Sequence, residues 1–554
     1  MAQRSTAEER GTGTRKSRGK RFFFWAALSG VISGLVFLAT AELFALIFAR
    51  SASPLLAVGG FVIDIVPQPF KEFAIATFGE YDKIALLVGL GLAVVIASAI
   101  AGILQLLRPP LGVIALVLAG ALSTAAIVTR AGVTPLAFLP PVLGTIAGSI
   151  IIVLLIRRLV AWRASAVPAA MVDRKGETTE TAEAADAEAG ASDGTPAKAM
   201  GRRQFFILAG IASVAAVVVG VASRTVSMTV ASVASIRDAL KLPSPKSTVT
   251  VPTGAELDIP GLTKLITPNE DFYRVDTALT VPTIDPETWR LVIDGMVDQR
   301  VEMSFQDILD MGVDEYAVTL TCVSNEVGGG LVGNAVWLGV PLRDVLKKAG
   351  VKSGADMVLS KSVDGYTAST PLSALTDDNL DAILAVGMNG EPLPLEHGFP
   401  VRMVVPGLYG YVSATKWLTE LKVTTFDKDE AYWTPRGYSA EAPIKFASRV
   451  DTPKVGQAVD AGRIPIAGVA WAQTVGIERV EVRIDEGDWM PATLSAPINE
   501  NTWVQWFMEW DATPGTHYVA VRAINKNGDM QIEERAPIAP NGSSGWQRSL
   551  IRVS

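Results

Sequence analysis

Long apolar runs in the N-terminal part of the chain constrain its fold more than any other feature. At 1.5 Å per helical residue, each run is about long enough to cross a hydrocarbon core of ~30 Å. Their number predicts a transmembrane helical bundle. Residues 54–66 are also apolar, but the segment is short and contains Gly59 and Gly60, so we interpret it as interfacial or re-entrant. The five long runs occupy residues 22–49, 84–107, 111–129, 138–156 and 204–222.

The distribution of lysine and arginine predicts how these runs are oriented. Residues 4–21 contain seven basic residues, and residues 157–175, after the fourth run, contain five. Cytoplasmic flanks of membrane helices are enriched in Lys and Arg, so both segments are expected inside the cell. Four crossings separate them, which agrees with a cytoplasmic N-terminus. A fifth crossing at 204–222 then predicts a multi-pass protein of the cell membrane whose remaining chain is extracytoplasmic.

Residues 163–203 separate the four-span bundle, residues 1–162, from the fifth span. They are rich in Ala, Glu, Asp, Thr and Gly and cannot bury enough apolar surface to order themselves, which predicts a disordered cytoplasmic linker. Arg202 and Arg203 precede aromatic residues and an apolar run. This arrangement resembles a twin-arginine signal, which directs folded proteins to the twin-arginine export machinery. The same pair also fits ordinary positive-inside flanking.

The chain changes character after about residue 245. Residues 245–426 mix strand and helix patterns and predict an α+β domain, in which residues 304–311 form a helix capped by Ser304. Residues 441–554 contain only strand patterns and predict an immunoglobulin-like β-sandwich. The tryptophans expected to be available for the core of this sandwich are Trp471, Trp489, Trp503, Trp506 and Trp510.

Few residues in the chain are suited to binding metals. There is one cysteine, Cys322, and there are two histidines, His397 and His517. An intrachain disulfide and a four-cysteine zinc or iron–sulfur site are therefore excluded within one chain. No histidine precedes His397, so a bis-histidine haem in the predicted bundle is excluded as well. The net charge of −7, with no basic stripe beyond the membrane flanks, argues against a nucleic-acid partner.

Cys322 lies in LTCVSNEVGGG, residues 320–330, between a strand-like run and a Gly-rich turn. Three successive glycines would let a bulky ligand approach the backbone. A thiolate is a good ligand for a soft metal. From these residues alone, Cys322 can be a metal ligand, a nucleophile or a small buried apolar residue.

Three motifs together resemble the sulfite oxidase family of molybdopterin enzymes. They are LTCVSNE, then NGEPLPLEHGFPVRMVVPGLYGYVSATKWL at residues 389–418, then YWTPRGY at residues 432–438. The resemblance covers roughly residues 250–554, and the predicted sandwich resembles the family's dimerisation domain, which implies a homodimer. The predicted five-span bundle is not part of the typical family pattern. The resemblance implies a Mo-molybdopterin cofactor.

The resemblance also implies roles for matching positions. Cys322 matches the cysteine whose sulfur binds molybdenum, and Tyr438 matches the tyrosine that faces the metal's oxo groups. His397 and Arg402 fall on a motif that holds the pterin and its phosphate, to which a guanidinium can donate paired charge-assisted hydrogen bonds. Arg436 is a further positive group available for catalysis. The other implied cofactor-binding residues are Asn269, Tyr273, Arg274, Ala414, Thr415 and Lys416.

The substrate is less well specified by the sequence. Sulfite oxidases carry Arg-Asn-His in their first pterin-binding stretch, whereas residues 274–277 here are Arg-Val-Asp-Thr. The vertebrate members also have a haem domain that is missing here, so electrons would pass through a separate carrier. The predicted function is a membrane-anchored, sulfite oxidase-type oxidoreductase that transfers an oxygen atom to or from a small-molecule substrate. A sulfoxide reductase of the same family and a cofactor-free cell-surface binding module are the alternatives.

Overall fold

The computed structural model forms two compact units, Met1–Met228 and Thr229–Ser554. The residues that the structure describes are 5–48, 54–66, 70, 77, 82–128, 136–165, 203–214 and 226–554. Most of the predicted linker lies outside the described residues.

The described part of the first unit is helical. Four segments are long and apolar enough to cross a membrane: Arg21–Ala45, Ile84–Leu107, Leu111–Val128 and Leu139–Ala164. They coincide with the first four predicted runs. In the region of the predicted fifth span, the structure describes one short apolar helix, and the remainder of that span lies outside the described residues. The helices are α1 (Ser5–Phe48), α2 (Pro54–Ile65), α3 (Asp82–Leu107), α4 (Leu111–Val128), α5 (Leu139–Ser165) and α6 (Arg203–Val214).

Small residues allow the apolar helices to pack closely. A Cβ added at Gly30 of α1 would overlap the carbonyl oxygen of Ser98 on α3, and one added at Gly102 would overlap the carbonyl oxygen of Ala26. Such close backbone approach is typical of helix association in lipid, where apolar burial does not drive helices together. The outer side of α3 exposes large apolar side chains, including Val88 and Leu92, as expected for a lipid-facing helix.

The second unit begins at Thr229, within helix α7 (Val226–Ala239), and continues with two sheets and short helices that match the predicted α+β domain. One sheet has the strand order β2-β1-β10-β5-β6, and the other has β3-β4-β7-β8 with β9 paired to β7. Strands β1 and β10 are parallel, and the other pairs are antiparallel. These strands are β1 (Arg290–Gly295), β2 (Val301–Ser304), β3 (Asp314–Thr321), β4 (Val332–Pro341), β5 (Met357–Ser362), β6 (Thr367–Pro371), β7 (Ile383–Met388), β8 (Glu391–Pro392), β9 (Arg402–Val404) and β10 (Leu418–Thr424).

Short helices connect these strands and cover the core. Buried side chains from β1, β10 and helix α9 (Leu342–Ala349) form the largest core of this domain, for example Leu291, Leu346 and Leu421. The helices are α8 (Phe305–Asp310), α9 (Leu342–Ala349), α10 (Leu372–Thr376) and α11 (Gly410–Ser413).

Ser304 caps α8 as the sequence predicts. Asp307 Oδ2 accepts hydrogen bonds from the Ser304 hydroxyl at 2.7 Å and the Ser304 N–H at 2.8 Å, and the Asp307 N–H donates to Ser304 Oγ at 3.2 Å. These hydrogen bonds hold the pKa of the Asp307 carboxyl below its usual range. Their stabilisation is therefore present above the ordinary Asp pKa of about 4 and is lost as the pH falls through the lower, folded-state value.

Replacing Ser304 by alanine is expected to loosen the first turn of α8. Loss of an N-cap costs about 1 kcal/mol, which corresponds to amide exchange ~5-fold faster at pH 7 in residues 305–308. Hydrogen exchange read by mass spectrometry measures this directly. Ser304→Thr keeps the hydroxyl and is expected to exchange like the wild type. Equal acceleration in both variants would contradict a capping role.

The C-terminal part forms two sheets with a shared core, in which all strand pairs are antiparallel except the short parallel pair of β12 and β19. The strand orders are β11-β13-β17-β16 and β12-β19-β18-β14-β15. Buried residues of both, such as Ile466 and Val519, pack together with Trp506, which establishes a β-sandwich. Its immunoglobulin-like character remains a prediction. The strands are β11 (Ala447–Thr452), β12 (Ala458–Val459), β13 (Gly462–Trp471), β14 (Ile477–Ile484), β15 (Met490–Pro491), β16 (Thr493–Leu494), β17 (Val504–Ala512), β18 (Gly515–Asn525) and β19 (Gln547–Val553).

The predicted tryptophan core is only partly confirmed. Trp506 and Trp510 belong to the sandwich core. Trp471 and Trp503 instead pack with Val323 and residues of the α+β domain, since they face the junction between the two parts. Trp489 packs edge-to-face on Trp546, with ring centroids 5.0 Å apart.

This junction closes the free edge of strand β3. The Thr319 N–H donates to Asn501 O at 3.0 Å, and the Trp503 N–H donates to Thr319 Oγ1 at 2.9 Å. Beyond the strand, Arg449 donates to Gly329 O at 2.9 Å and Ser543 donates to Asn325 O at 2.7 Å. The C-terminal part therefore fixes both the strand and the loop that flank Cys322.

Candidate active site

A cleft in the second unit holds about 930 Å³ of empty space, including its solvent-open mouth. It is lined by residues from separate parts of the α+β domain and from the connection to the sandwich. Among the lining residues, those predicted from sequence are Tyr273, Cys322, His397, Arg402, Ala414, Lys416 and Tyr438.

Cys322 follows the last residue of β3 and contributes its thiol to the cleft. Its N–H donates to Leu331 O at 2.9 Å, and Sγ accepts a hydrogen bond from the Ser324 N–H at 3.4 Å. Only 7% of the residue is exposed, and this burial raises the pKa of the thiol. Gly328, with φ at +81°, allows the turn that brings the chain back to β4.

Arg402 is a buried cation at the start of β9. Its guanidinium donates to three backbone carbonyls, those of His397 at 3.1 Å, Met403 at 3.3 Å and Ala414 at 3.4 Å. It also lies 5.0 Å from the ring centroid of Trp337. In the part of the chain that the structure describes, Arg402 forms no ion pair with a carboxylate. Burial lowers its pKa to about 10, which leaves it charged at neutral pH. A buried cation of this kind is suited to an anionic ligand group.

His397 is a buried, neutral residue that is held by the stretch beginning at Asn269. Its Nε2 donates to Asn269 O at 3.1 Å, and its ring packs edge-to-face on Phe272. Burial and the nearby Arg402 lower its pKa to about 4. His397 is therefore neutral at neutral pH, and because its one N–H is donated to Asn269 O, its Nδ1 can only accept a hydrogen bond.

Lys416 is held by a carboxylate that the sequence motifs did not single out. Lys416 Nζ lies 2.7 Å from Asp276 Oδ2 and donates to Glu396 O at 3.0 Å. The same Asp276 oxygen accepts a hydrogen bond from Arg274 Nε at 2.8 Å. Burial lowers the pKa of Lys416 to about 8, an effect that Asp276 opposes.

Aromatic side chains form another wall of the cleft. Tyr438 packs against Trp433 and Tyr411, with ring centroids 5.2 Å and 5.6 Å away. The Tyr366 hydroxyl donates to Tyr411 O at 2.7 Å. Burial raises the pKa of Tyr273 and of Tyr366 far above the ordinary value, with a further rise caused by Cys322. Both phenols are therefore protonated donors at neutral pH.

Four residues predicted for the site do not line the cleft. Asn269 reaches it only through the carbonyl that binds His397, and its side chain bonds with Met388 O and Asn389. The Thr415 hydroxyl lies 2.7 Å from Ser360 Oγ. Arg274 reaches the cleft through Asp276. Arg436 lies over the Tyr432 ring at 3.8 Å and donates to Tyr432 O.

Other lining residues were not among the predicted site residues. Asp276 lies two residues after Arg274, where the departure from the family pattern could have indicated it. Tyr366 directly precedes β6, the second strand of a hairpin, and Asp364 is in the turn between β5 and β6. The pairing of β5 with β10 places this hairpin in the same sheet as the strand that follows Lys416. Sequence alone gives no signal for that placement.

Comparison with known proteins shows that the part of the chain that forms most of this cleft matches a known domain family. Residues 278–433, which include Cys322, His397, Arg402 and Lys416, match the family described as the oxidoreductase molybdopterin binding domain. The chain is 30% identical over 340 residues to mitochondrial sulfite oxidase of Homo sapiens, covering 52% of this chain and 62% of the relative. It is 28% identical over 351 residues to sulfite oxidase of Arabidopsis thaliana, covering 52% of this chain and 88% of that protein.

The similarity to known proteins covers only part of each chain. The chain spans about three-fifths of the length of the mammalian mitochondrial sulfite oxidases that it matches, with a coverage of 62%. The NADH nitrate reductase of Spinacia oleracea is 33% identical over 178 residues, 27% of this chain and 19% of that protein. The solved structure of the sulfane dehydrogenase SoxCD from Paracoccus pantotrophus aligns with a TM-score of 0.47 and 22% identity, over 55% of this chain and 88% of that one.

Proposed function

We propose that this chain is a membrane-anchored oxidoreductase of the sulfite oxidase type that transfers an oxygen atom to or from a small substrate. Its match to the oxidoreductase molybdopterin binding domain and its similarity to sulfite oxidases support this proposal. Its cofactor is Mo-molybdopterin. The observation that carries the proposal is the cleft in which the thiol of Cys322 lies with the buried guanidinium of Arg402. A soft metal ligand and a buried cation suited to phosphate fit the two ends of such a cofactor.

The described residues fit the cofactor in their chemistry. We propose that the Cys322 sulfur ligates molybdenum and that Arg402 holds the pterin phosphate. Tyr273 would donate a hydrogen bond to the pterin, His397 would accept one at Nδ1, and Lys416 with the backbone of Ala414 and Thr415 would complete its binding. When bound, the cofactor supplies the two-electron oxygen-transfer chemistry. The protein supplies ligation, orientation and exclusion of water.

The aromatic wall is proposed to position the substrate. Tyr438 lines the cleft through a ring packed against Trp433 and Tyr411, which restricts its motion. Its phenol is proposed to donate a hydrogen bond to the substrate oxygen. Arg436 lies two residues before Tyr438 in the sequence and does not line the cleft. We propose that its positive charge acts on the substrate from outside the lining. The substitution Tyr438→Phe, which removes the hydroxyl, tests the role of Tyr438. If Tyr438 were only structural, kcat would stay unchanged.

The N-terminal helices are proposed to anchor the enzyme, with the cleft in the extracytoplasmic part. Four of them have the length and hydropathy to cross a membrane. The sequence before Cys322 contains no histidine or cysteine, so the bundle lacks the usual ligands for a haem or iron–sulfur relay. Electrons would therefore use a separate carrier. We further propose export through the twin-arginine machinery after cofactor insertion, and homodimerisation through the sandwich.

Molybdenum analysis and dye-linked kinetics test the proposed function. The full chain, purified in detergent from a host that makes molybdopterin, is expected to contain close to one molybdenum per chain. It should turn over in a panel that pairs sulfite with an electron acceptor and sulfoxides with a reduced dye. Protein from a host deficient in molybdopterin synthesis is the control. Folded protein without molybdenum from the competent host would contradict the proposal and favour the binding-module alternative.

A further inference from the structure

The charged groups that line the described cleft balance one another before any cofactor is added. They are the cations Arg402 and Lys416 and the acids Asp276 and Asp364. His397 is neutral at pH 7 because burial lowers its pKa to about 4. A phosphate monoester carries about −1.5 to −2 charges at pH 7. Once Arg402 holds the cofactor phosphate, the remaining cleft has no excess of positive charge.

Asp276 pairs with Lys416, the cation of the cleft that could otherwise bind an oxyanion. Its Oδ2 contacts both Lys416 Nζ at 2.7 Å and Arg274 Nε at 2.8 Å. Only 4% of the Asp276 side chain and 9% of the Lys416 side chain are exposed. Lys416 also donates to Glu396 O and lies 4.6 Å from the Trp417 ring centroid. The ammonium group is thus oriented by a carboxylate, a carbonyl and a ring.

The lining residues next to Asp276 add no positive charge. Asp364 accepts a hydrogen bond from the Thr277 hydroxyl at 3.2 Å. Val275, which is 47% exposed, also lines the cleft beside these residues. An oxyanion that entered here would lose hydration and meet a carboxylate, which is costly. Aromatic rings such as those of Trp433 and Tyr438 instead offer favourable contacts to an uncharged sulfur group.

We propose that Asp276 determines the substrate class: by binding Lys416 and Arg274 it makes the cleft accept an uncharged sulfur compound and reject oxyanions such as sulfite. This inference rests on the proposed function of the same cleft. The matching half-reaction is R₂SO + 2 e⁻ + 2 H⁺ → R₂S + H₂O, in which the S–O bond breaks and sulfur is reduced. A separate carrier, or a reduced viologen dye in an assay, supplies the electrons, and the reverse direction oxidises a thioether.

The test compares two tetrahedral sulfur probes that differ in charge. Dimethyl sulfone is uncharged and sulfate is a dianion of similar size. Each is titrated into the cofactor-loaded full chain at constant ionic strength, and binding is read from the shift of the thermal unfolding midpoint. In the wild type, sulfate is expected to bind at least ~10-fold more weakly than dimethyl sulfone. Asp276→Asn is expected to raise sulfate affinity at least ~10-fold and to change sulfone affinity less than ~3-fold.

Two further variants keep the test decisive. Asp488→Asn removes an exposed acid of the sandwich and is expected to leave both affinities unchanged. If Asp276→Asn fails to fold, Val275→Lys adds a cation at the same mouth and is expected to raise sulfate affinity similarly. The inference is overturned if the wild type binds sulfate as tightly as the sulfone, or if folded variants gain no sulfate affinity. Molybdenum content is measured first, so that failure of the proposed function is recognised separately.

Discussion

Replacing Cys322 by serine is expected to abolish turnover while leaving the fold intact. A hydroxyl is a poorer ligand than a thiolate for a soft metal, so the loss should exceed the ~10–100-fold that is typical of changes behind the metal ligands. The fold should survive because serine nearly matches cysteine in shape and can still accept the Ser324 N–H bond. We expect the free energy of unfolding to change by no more than about 1 kcal/mol. X-ray absorption at the molybdenum edge should show one sulfur ligand fewer.

The adjacent residue offers a matched control. Thr321 is buried, and its hydroxyl has no hydrogen-bond partner in the part of the chain that the structure describes. Thr321→Val keeps the shape and is expected to retain molybdenum, turnover and the full set of sulfur ligands. If Cys322→Ser keeps wild-type turnover, or if its molybdenum retains all its sulfur ligands, the assignment of the ligand is wrong.

Replacing Arg402 by methionine is expected to release the cofactor from an otherwise folded protein. Charge-assisted hydrogen bonds to a phosphate contribute about 1.5–3 kcal/mol each, so loss of two corresponds to affinity ~100-fold lower or worse. Cofactor-free protein should behave differently. In that form, Arg402→Met loses the hydrogen bonds to three carbonyls, but it also removes a buried charge that lacks a carboxylate partner. The two effects on the free energy of unfolding offset each other. We expect its unfolding free energy to change by less than about 2 kcal/mol.

Molybdenum content and thermal unfolding with and without cofactor measure both effects. Arg522 is the comparison, since this mostly buried arginine of the sandwich binds the carboxylate of Glu481. Arg522→Met should destabilise both forms, because it leaves Glu481 with less compensation, and should keep molybdenum per folded chain unchanged. If Arg402→Met retained the cofactor, or destabilised both forms equally, Arg402 would have a structural role and not the proposed binding role.

Sequence patterns predicted the features that are encoded within short stretches. The four long apolar helices and the Ser304 cap fall where expected, because each depends on neighbours within a few positions. The contiguous motifs place Cys322, His397 and Lys416 in one cleft, whereas Thr415 and Arg436 of the same motifs do not line it. Pairings between distant segments were missed. The Asp276–Lys416 contact joins residues 140 positions apart, and nothing in either local pattern specifies it. For the same reason, Trp471 and Trp503 were assigned to the sandwich core, although the junction with the α+β domain buries them.

The closure of strand β3 by the C-terminal part has a consequence for the order of events during synthesis. Thr319, three residues before the thiol, is bonded to Trp503, which the ribosome adds 184 residues later. Ser543, which binds the loop after the thiol, emerges later still. The cysteine is therefore held in its final position only after the strands of the sandwich have been made. We expect metal loading to follow the folding of the sandwich onto the α+β domain.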